Sequence, residues 1–358
     1  MLIDEHKFLE VISGRESGVA PSLLRGLLVL LEPFYLAGAQ SKNFLFDAGL
    51  KKPQRVPSRV ISIGNVTTGG TGKTPTVAWV CNFFERHHLR PGIVSRGYRS
   101  LDGEGNDEQR LLQKLCPNVP HLQNRDRIEA ARQLIESHHP DVIILDDGFQ
   151  HRRLHRELDV VLIDCLNPWG YGHVLPRGLL RESAKGLSRA GIVLLTRADQ
   201  VTDAQRESIH KQVRRYTDCP VVSSRFVPTG LRNSSGESLS FSELQERKVF
   251  AFSAIGHPEA FRRTLSSVGF DVADDRFLQF PDHHHYTEED FATIREAARS
   301  TSSASLITTA KDLVKINDDR IGDLSVWAIE ISLEILDFQT VWEETLLDAV
   351  SDKRPPES

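Results

Sequence analysis

The chain has 358 residues, 39% hydrophobic and 26% charged, with a formal net charge of −5. That length holds one large domain or two ordinary ones, and the acidic balance excludes a general nucleic-acid binder, which carries a basic surplus. The four cysteines (Cys81, Cys116, Cys165, Cys219) form no C-x-x-C pair, so neither a zinc site nor a disulfide framework is indicated.

The opening MLIDEHKFLEVISGRESG is mixed in charge and lacks the early apolar core of a secretory leader. In PSLLRGLLVLLEPFYLAGAQSKNFLF the longest charge-free apolar run is Gly26 to Leu31, bracketed by Arg25 and Glu32 and interrupted by Pro33. A spanning helix needs roughly 20 apolar residues, so a span is not expected. Two readings stay open: a helix packed on the protein's own core, or an apolar helix resting in a membrane interface.

From residue 58 strand-like and helix-like segments alternate. RVISIGNV reads as a strand, then a Gly-rich turn, then TPTVAWVCNFFERHH with helical apolar spacing. RPGIVSRGY, DVIILDDGF, LDVVLIDCLNPWG and AGIVLLTRAD read as further strands, and DRIEAARQLIESHHP as an amphipathic helix. Short β-branched runs separated by helices imply crossovers and a mainly parallel sheet with helices on both faces. RFVPTGLRNSSGESLSFSELQERK, polar and rich in turn residues, reads as a linker. Beyond it KVFAFSAI, PEAFRRTLSSVGF, DVADDRFLQF, TEEDFATIREAARS, SLITTAKDLVKI and SVWAIEISLEI suffice for a smaller C-terminal α/β lobe, and SDKRPPES reads as a disordered tail.

Two segments carry chemistry. The Gly-rich turn is Thr67-Thr68-Gly69-Gly70-Thr71-Gly72-Lys73-Thr74, a phosphate loop of the G-x-x-x-x-G-K-[ST] type with Thr67 in place of the first Gly. Its glycines let backbone N–H groups face an anion at a helix N-terminus. Lys73 supplies a charge for the β- and γ-phosphates of ATP, and Thr74 a hydroxyl for Mg²⁺. The second is VIILDDGFQHRRL, whose strand ends in Asp146 and Asp147. Carboxylates there reach the metal shell of a P-loop NTPase-like fold. A kinase also needs a group to orient or deprotonate its acceptor hydroxyl. Ser95 to Ser100, Asp107 with Glu108, and Asp282 with His283 to His285 remain open candidates.

GNVTTGGTGKTP, VSRGY, GNDE, LDDGFQHRRL, LPRGLLRE, FAFSAIGHPEAF, FPDHHHYT and TTAKDLVKI stand in the order and spacing of the tetraacyldisaccharide 4'-kinase family, which this chain resembles over roughly residues 20 to 335. That family phosphorylates the lipid A disaccharide precursor, and its phosphate loop also lacks the first Gly. The resemblance implies that Lys73 and Thr74 hold ATP phosphates and Mg²⁺, that Asp146 and Asp147 serve the metal, and that Asp107 is the base facing the sugar hydroxyl with His283 as its partner. It implies an acylated disaccharide-1-phosphate substrate. It also favours an N-terminal helix lying, without spanning, on the cytoplasmic face of the inner membrane, and no obligatory protein partner. Departures are Asn106 and Gln109 beside Asp107, and Arg177 and Leu179 where the family reads closer to LPAGPLRE.

The domain reading is therefore a membrane-interface helical region (1–50), a P-loop kinase core (51–225), a smaller C-terminal α/β lobe (226–350) and a tail (351–358). It puts Asp107 and His283 in different lobes. Two other readings compete: a soluble P-loop kinase for a small metabolite, and a nucleotide-switch or metal-delivery NTPase. The latter carries a Lys where this chain has Thr68 and needs no acceptor base. Dependence on detergent and an amphiphilic acceptor separates them from the lipid kinase.

Overall fold

The computed structural model describes residues 5–97, 107–245, 248–256, 258–270, 272–282, 284–316 and 318–351. In chain order the first elements are α1 (Glu5–Ser13), α2 (Val19–Asp47), β1 (Arg59–Asn65), α3 (Lys73–Arg86), β2 (Pro91–Ser95), α4 (Asp107–Leu115) and β3 (His121–Gln123). Then come α5 (Arg127–His138), β4 (Val142–Asp146), β5 (Leu158–Asp164), β6 (Ile192–Thr196), α6 (Asp203–Val213) and β7 (Val221–Arg232). The remainder is β8 (Ser238–Leu239), α7 (Phe241–Gln245), β9 (Val249–Ser253), α8 (Pro258–Ser267), β10 (Phe277–Gln279), α9 (Glu288–Ser300), β11 (Ser305–Thr309), α10 (Ala310–Ile316), β12 (Arg320–Ile321), β13 (Leu324–Ile335) and α11 (Gln339–Val350).

These form two compact units: Met1–Glu104, Leu115–Arg225 and Leu333–Ser358 in one, Gly105–Lys114 and Phe226–Ser332 in the other. The first unit is a parallel sheet in the order β7-β6-β5-β1-β4-β2-β3. Strands β1, β2, β4, β5 and β6 are buried on both faces, which is why they read as unbroken apolar runs. On one face α5 packs Ile128, Ala131 and Leu134 against Val60, Val94, Ile143 and Leu145, while α6 packs Ile209 and Val213 against Val161, Ile163, Val193 and Leu195. Register turns Ile61, Ile63 and Ile144 to the opposite face, where α3 and α11 lie against β1. There Trp79 of α3 stacks on Phe83 at 5.3 Å and meets Trp342 of α11 at 5.9 Å.

The second unit is a smaller sheet in the order β10-β9-β11-β13, parallel throughout, with β12 antiparallel to β13. Its α8 covers one face through Phe261 and Leu265, and α9 and α10 cover the other through Ile294, Ala298 and Leu313.

Three expectations change. Residues 225–245 are mostly regular: β7 runs through Pro228 to Arg232 and turns at Gly236 (φ +92°) into β8. The α11 segment, expected with the C-terminal lobe, belongs to the first unit, and Asp107, expected in the kinase core, belongs to the second. Most of the expected tail lies outside the described residues.

Candidate active site

The loop after β1 is shaped by three constraints. Gly64 is required because a Cβ there would sit 2.7 Å from Phe149 Cβ and 2.8 Å from its backbone nitrogen, so only Gly lets the Asp146–Phe149 turn close on β1. Next, Thr67 forms an antiparallel bridge with Leu180, and Thr68 N–H donates to the Leu179 carbonyl at 2.7 Å. The loop then turns at Gly69 and Gly72, with φ of +102° and +89°, conformations in which only Gly is unstrained. Gly72 caps α3, whose first N–H groups have no intrahelical acceptor and favour an anion.

Three side chains brace this turn. Asn65 Nδ2 donates to Thr71 Oγ1 at 3.0 Å, Thr196 Oγ1 to the Thr71 carbonyl at 3.0 Å, and Arg197 Nη2 to the Gly70 carbonyl at 2.9 Å. Arg197 is itself held by Asp164 at 2.6 Å. Sequence reasoning passed over Thr196 and Arg197, although the segment LLTRAD carried them at a strand end.

Lys73 Nζ lies 3.4 Å from Asn65 Oδ1 and 3.7 Å from Asp147 Oδ1. The Asp doublet is asymmetric. Asp146 is the last residue of β4, buried and in register with Ile63 of β1. Asp147 has turned into the left-handed region at φ +51°. Arg181 Nη1 reaches both its carboxylate oxygens at 2.7 Å, and Arg127 Nη2 donates to its carbonyl at 3.3 Å. Burial pushes this carboxyl up, but Lys73, Arg181 and Arg127 outweigh it and hold Asp147 below its ordinary value. Gly148 follows because a Cβ there would strike Leu145 Cγ at 2.6 Å and Ser62 Oγ at 2.7 Å. For a metal, Thr74 at the start of α3 and Asp146 at the end of β4 offer hard oxygen donors, the chemistry Mg²⁺ takes. In the described state the Asp147 carboxylate is committed to cations.

Behind the doublet, Gln150 Nε2 donates to the Asn65 carbonyl at 2.9 Å and to Glu182 Oε1 at 3.0 Å. Glu182 is buried and also accepts from Arg189 Nη2 at 2.8 Å and Asn43 Nδ2 at 3.1 Å. His151 Nδ1 lies 3.4 Å from Arg127 Nη1. Burial, then the charges of Arg127, Lys42, Arg153 and Arg156, lower His151 to about 3, so it is neutral at pH 7 and accepts from Arg127. The motifs LDDGFQHRRL and LPRGLLRE contained these residues, but nothing in their spacing said which would meet.

In the second unit Asp107 opens α4, where a carboxylate suits the helix dipole. Residues 98–106 and His283 lie outside the described residues. The neighbours of His283 do not share one environment. Asp282 pairs with Lys311 at 3.1 Å. His284 Nε2 contacts Asp290 Oδ2 at 2.9 Å and its ring stacks on Phe280 at 5.0 Å, while His285 is exposed. Asp290 also closes the capping box of α9 with Thr287, so His284 serves this packing.

The α2 helix is two-faced. Residues 28, 32, 36, 39 and 43 turn inward, and Leu23, Leu27, Leu30 and Phe34 turn outward, exposed by 70, 55, 68 and 76%. Its charges are directed to the protein. Arg25 donates to the carbonyls of Val11 and Glu16, and Glu32 accepts from Val174 N–H at 2.8 Å and contacts His173 Nδ1 at 3.0 Å. By length and composition α2 is long and apolar enough to cross a membrane, and only 6% of its most apolar stretch is buried. The helix therefore does not have the burial of a core helix.

Comparison with known proteins gives a consistent result. The family described as Tetraacyldisaccharide-1-P 4'-kinase matches residues 24–351. A tetraacyldisaccharide 4'-kinase of Syntrophus aciditrophicus is 35% identical, over 91% of this chain and 93% of that protein. One of Anaeromyxobacter dehalogenans strain 2CP-C is 39% identical, over 86% of each. Among solved structures, LpxK from Aquifex aeolicus in complex with ATP superposes with a TM-score of 0.73 at 29% identity, covering 92% of this chain and all of that one.

Proposed function

The chain belongs to the tetraacyldisaccharide-1-P 4'-kinase family, and we propose the roles by which its residues transfer the γ-phosphoryl group of ATP to the 4'-hydroxyl of the acylated disaccharide. The observation that carries the reading is the loop Thr67–Thr74, with its braced glycines, the open N-terminus of α3, and Lys73 beside the Asp147–Arg181 pair.

In this reading the backbone N–H groups of Gly70 to Thr74 cradle the triphosphate, and Lys73 moves from Asp147 to the β- and γ-phosphates. Arg181 keeps Asp147 ionised and in place. A magnesium ion, when bound, would supply positive charge that offsets the charge on the triphosphate; Thr74 and Asp146 would hold it, with Asp147 next in the chain. The acceptor oxygen forms its bond to the γ-phosphorus as the bond to the bridging oxygen breaks and ADP departs. The hydroxyl proton passes to Asp107, oriented by His283. A bare carboxylate, with a reference pKa near 4, is a weak base toward an alcohol, so a supporting imidazole gives that proton a shared site.

We also assign α2 to the cytoplasmic surface of the inner membrane. Its outward stripe recurs at spacings of four, three and four residues, while its inner face hydrogen-bonds the protein from Glu32 to Asn43. A helix tied along one side cannot have lipid all around it. The test is transfer of label from [γ-³²P]ATP to the disaccharide 1-phosphate in mixed micelles. Labelled lipid is expected, and release of inorganic phosphate without labelled lipid would overturn the reading.

A further inference from the structure

The segment from His173 to Glu182 is gripped at one side by α2 and holds the phosphate loop at the other. On the α2 side, Glu32 binds Val174 N–H and His173, Tyr35 Oη donates to the Arg181 carbonyl at 3.0 Å, and Asn43 donates to Glu182. Arg177, at one of the positions that departs from the family pattern, donates to the Ile12 carbonyl of α1 at 2.8 Å. On the nucleotide side, the Leu179 carbonyl accepts Thr68 N–H at 2.7 Å and Arg181 N–H donates to the Val66 carbonyl at 2.8 Å. The Arg181 guanidinium grips Asp147, the neighbour of Lys73. One short segment thus carries a continuous path from the apolar helix to the charges of the phosphate loop.

We propose that this segment couples the lipid surface to the nucleotide site, and that Glu32 is the positioning residue on which the coupling turns. Away from a membrane, the outward apolar residues of α2 lie in water, and its inner side is held by Leu28 and Leu36 together with the polar contacts of Glu32, Tyr35 and Asn43. Elements with little buried surface open locally at low free energy. Each opening withdraws Glu32, Tyr35 and Asn43 from the segment and loosens the Thr67–Thr68 edge of the loop. Seating the outward stripe in lipid favours the closed arrangement, and a ligand that prefers one arrangement shifts the population toward it. The kinase is thereby readied for ATP at the surface where its acceptor is found. Reciprocity requires that nucleotide tighten lipid binding by the same factor.

The proposal rests on the membrane-interface reading of α2, and the experiment separates the two. Binding of a non-hydrolysable ATP analogue to the full chain is measured by calorimetry with and without acceptor-free phosphatidylethanolamine–phosphatidylglycerol vesicles, and vesicle binding by co-sedimentation. Vesicles are expected to tighten nucleotide binding of the wild type about three- to tenfold. Glu32→Ala should still sediment with vesicles, its apolar stripe being intact, yet lose that response. Glu32→Gln, which keeps an acceptor oxygen for Val174 N–H, should recover most of it. If Glu32→Ala melts far below the wild type, Tyr35→Phe, which removes only the bond to the Arg181 carbonyl, takes its place and should weaken the response. Wild-type protein that binds vesicles with unchanged nucleotide affinity would overturn the coupling alone, as would a full response in Glu32→Ala or, in its place, Tyr35→Phe. Failure to sediment at all would overturn the interface reading and the coupling with it.

Discussion

Replacing Leu23, Leu27, Leu30 and Phe34 together by Gln tests the helix–membrane assignment. A fully buried Leu or Phe side chain gains about 2 kcal/mol over an exposed one. The exposures of 70, 55, 68 and 76% leave about 5 kcal/mol available across the stripe by that rule. An interfacial helix sinks only partway, and removal of half that surface from water gives about 2.5 kcal/mol. At 1.4 kcal/mol per decade, vesicle partitioning should fall by about 50- to 100-fold. Gln has nearly the helix propensity of Leu, and the four side chains face away from the protein, so helicity and melting temperature should hold. Partitioning is measured by sedimentation with acceptor-free vesicles, and ATP hydrolysis without lipid serves as the control. A loss of less than about threefold, or a loss that appears only with unfolding, would refute the reasoning.

Lys73→Ala should lower turnover by about 100-fold or more with the melting temperature retained, the usual cost of a preorganised charge; near-normal turnover would remove the loop from catalysis. Asp146→Asn should raise the Mg²⁺ concentration for half-maximal rate, while Asp147→Asn should act through Arg181 and Lys73 and raise the KM for ATP; a metal titration of both variants distinguishes these roles. Asp107→Ala and His283→Ala should each lower kcat with ATP affinity kept, and the double variant should be no worse than either. By contrast His284→Ala should mainly lower the melting temperature, because its imidazole packs on Phe280 and Asp290. Burial lowers His121 from 6.5 to about 4, so between those values the unfolded chain binds the proton and the folded one does not. Stability should therefore fall as pH drops through that window, and a chemical-denaturation series on His121→Gln should show a shallower loss.

The parts legible in sequence share a physical reason. The strands β1, β4, β5 and β6 are buried on both faces, so each is a short apolar β-branched run with little else to be. The phosphate loop was legible because positive φ at Gly69 and Gly72 demands glycine at fixed positions. By contrast β7 carries Pro228 and Gly230, and half of it is only partly buried, so its composition resembles a linker. The cations around Asp147 come from Arg127 and Arg181, 20 and 34 residues away, and no local pattern announces such a meeting. Pro33 interrupts the apolar run of the sequence and lacks the N–H that would bond the Val29 carbonyl. The helix instead continues, with Glu32 and Leu36 held against the protein on either side of it.

Thr67 shows how these levels connect. In the phosphate-loop pattern its position belongs to Gly, yet here its backbone does not occupy the left-handed region. It is paired in an antiparallel bridge with Leu180, and Thr68 N–H is bonded to the Leu179 carbonyl. A strand-paired position has no need of glycine, and a β-branched residue fits it better. The departure from the pattern thus marks where the loop is pinned. The pinning partner lies on the segment whose other contacts run to Glu32, Tyr35 and Asn43 of α2. A nucleotide loop that began with a free glycine hinge could adjust to ATP independently of that segment. One that begins with a strand-paired Thr is constrained to move with it, which is the mechanical condition for a helix at the protein surface to influence Lys73.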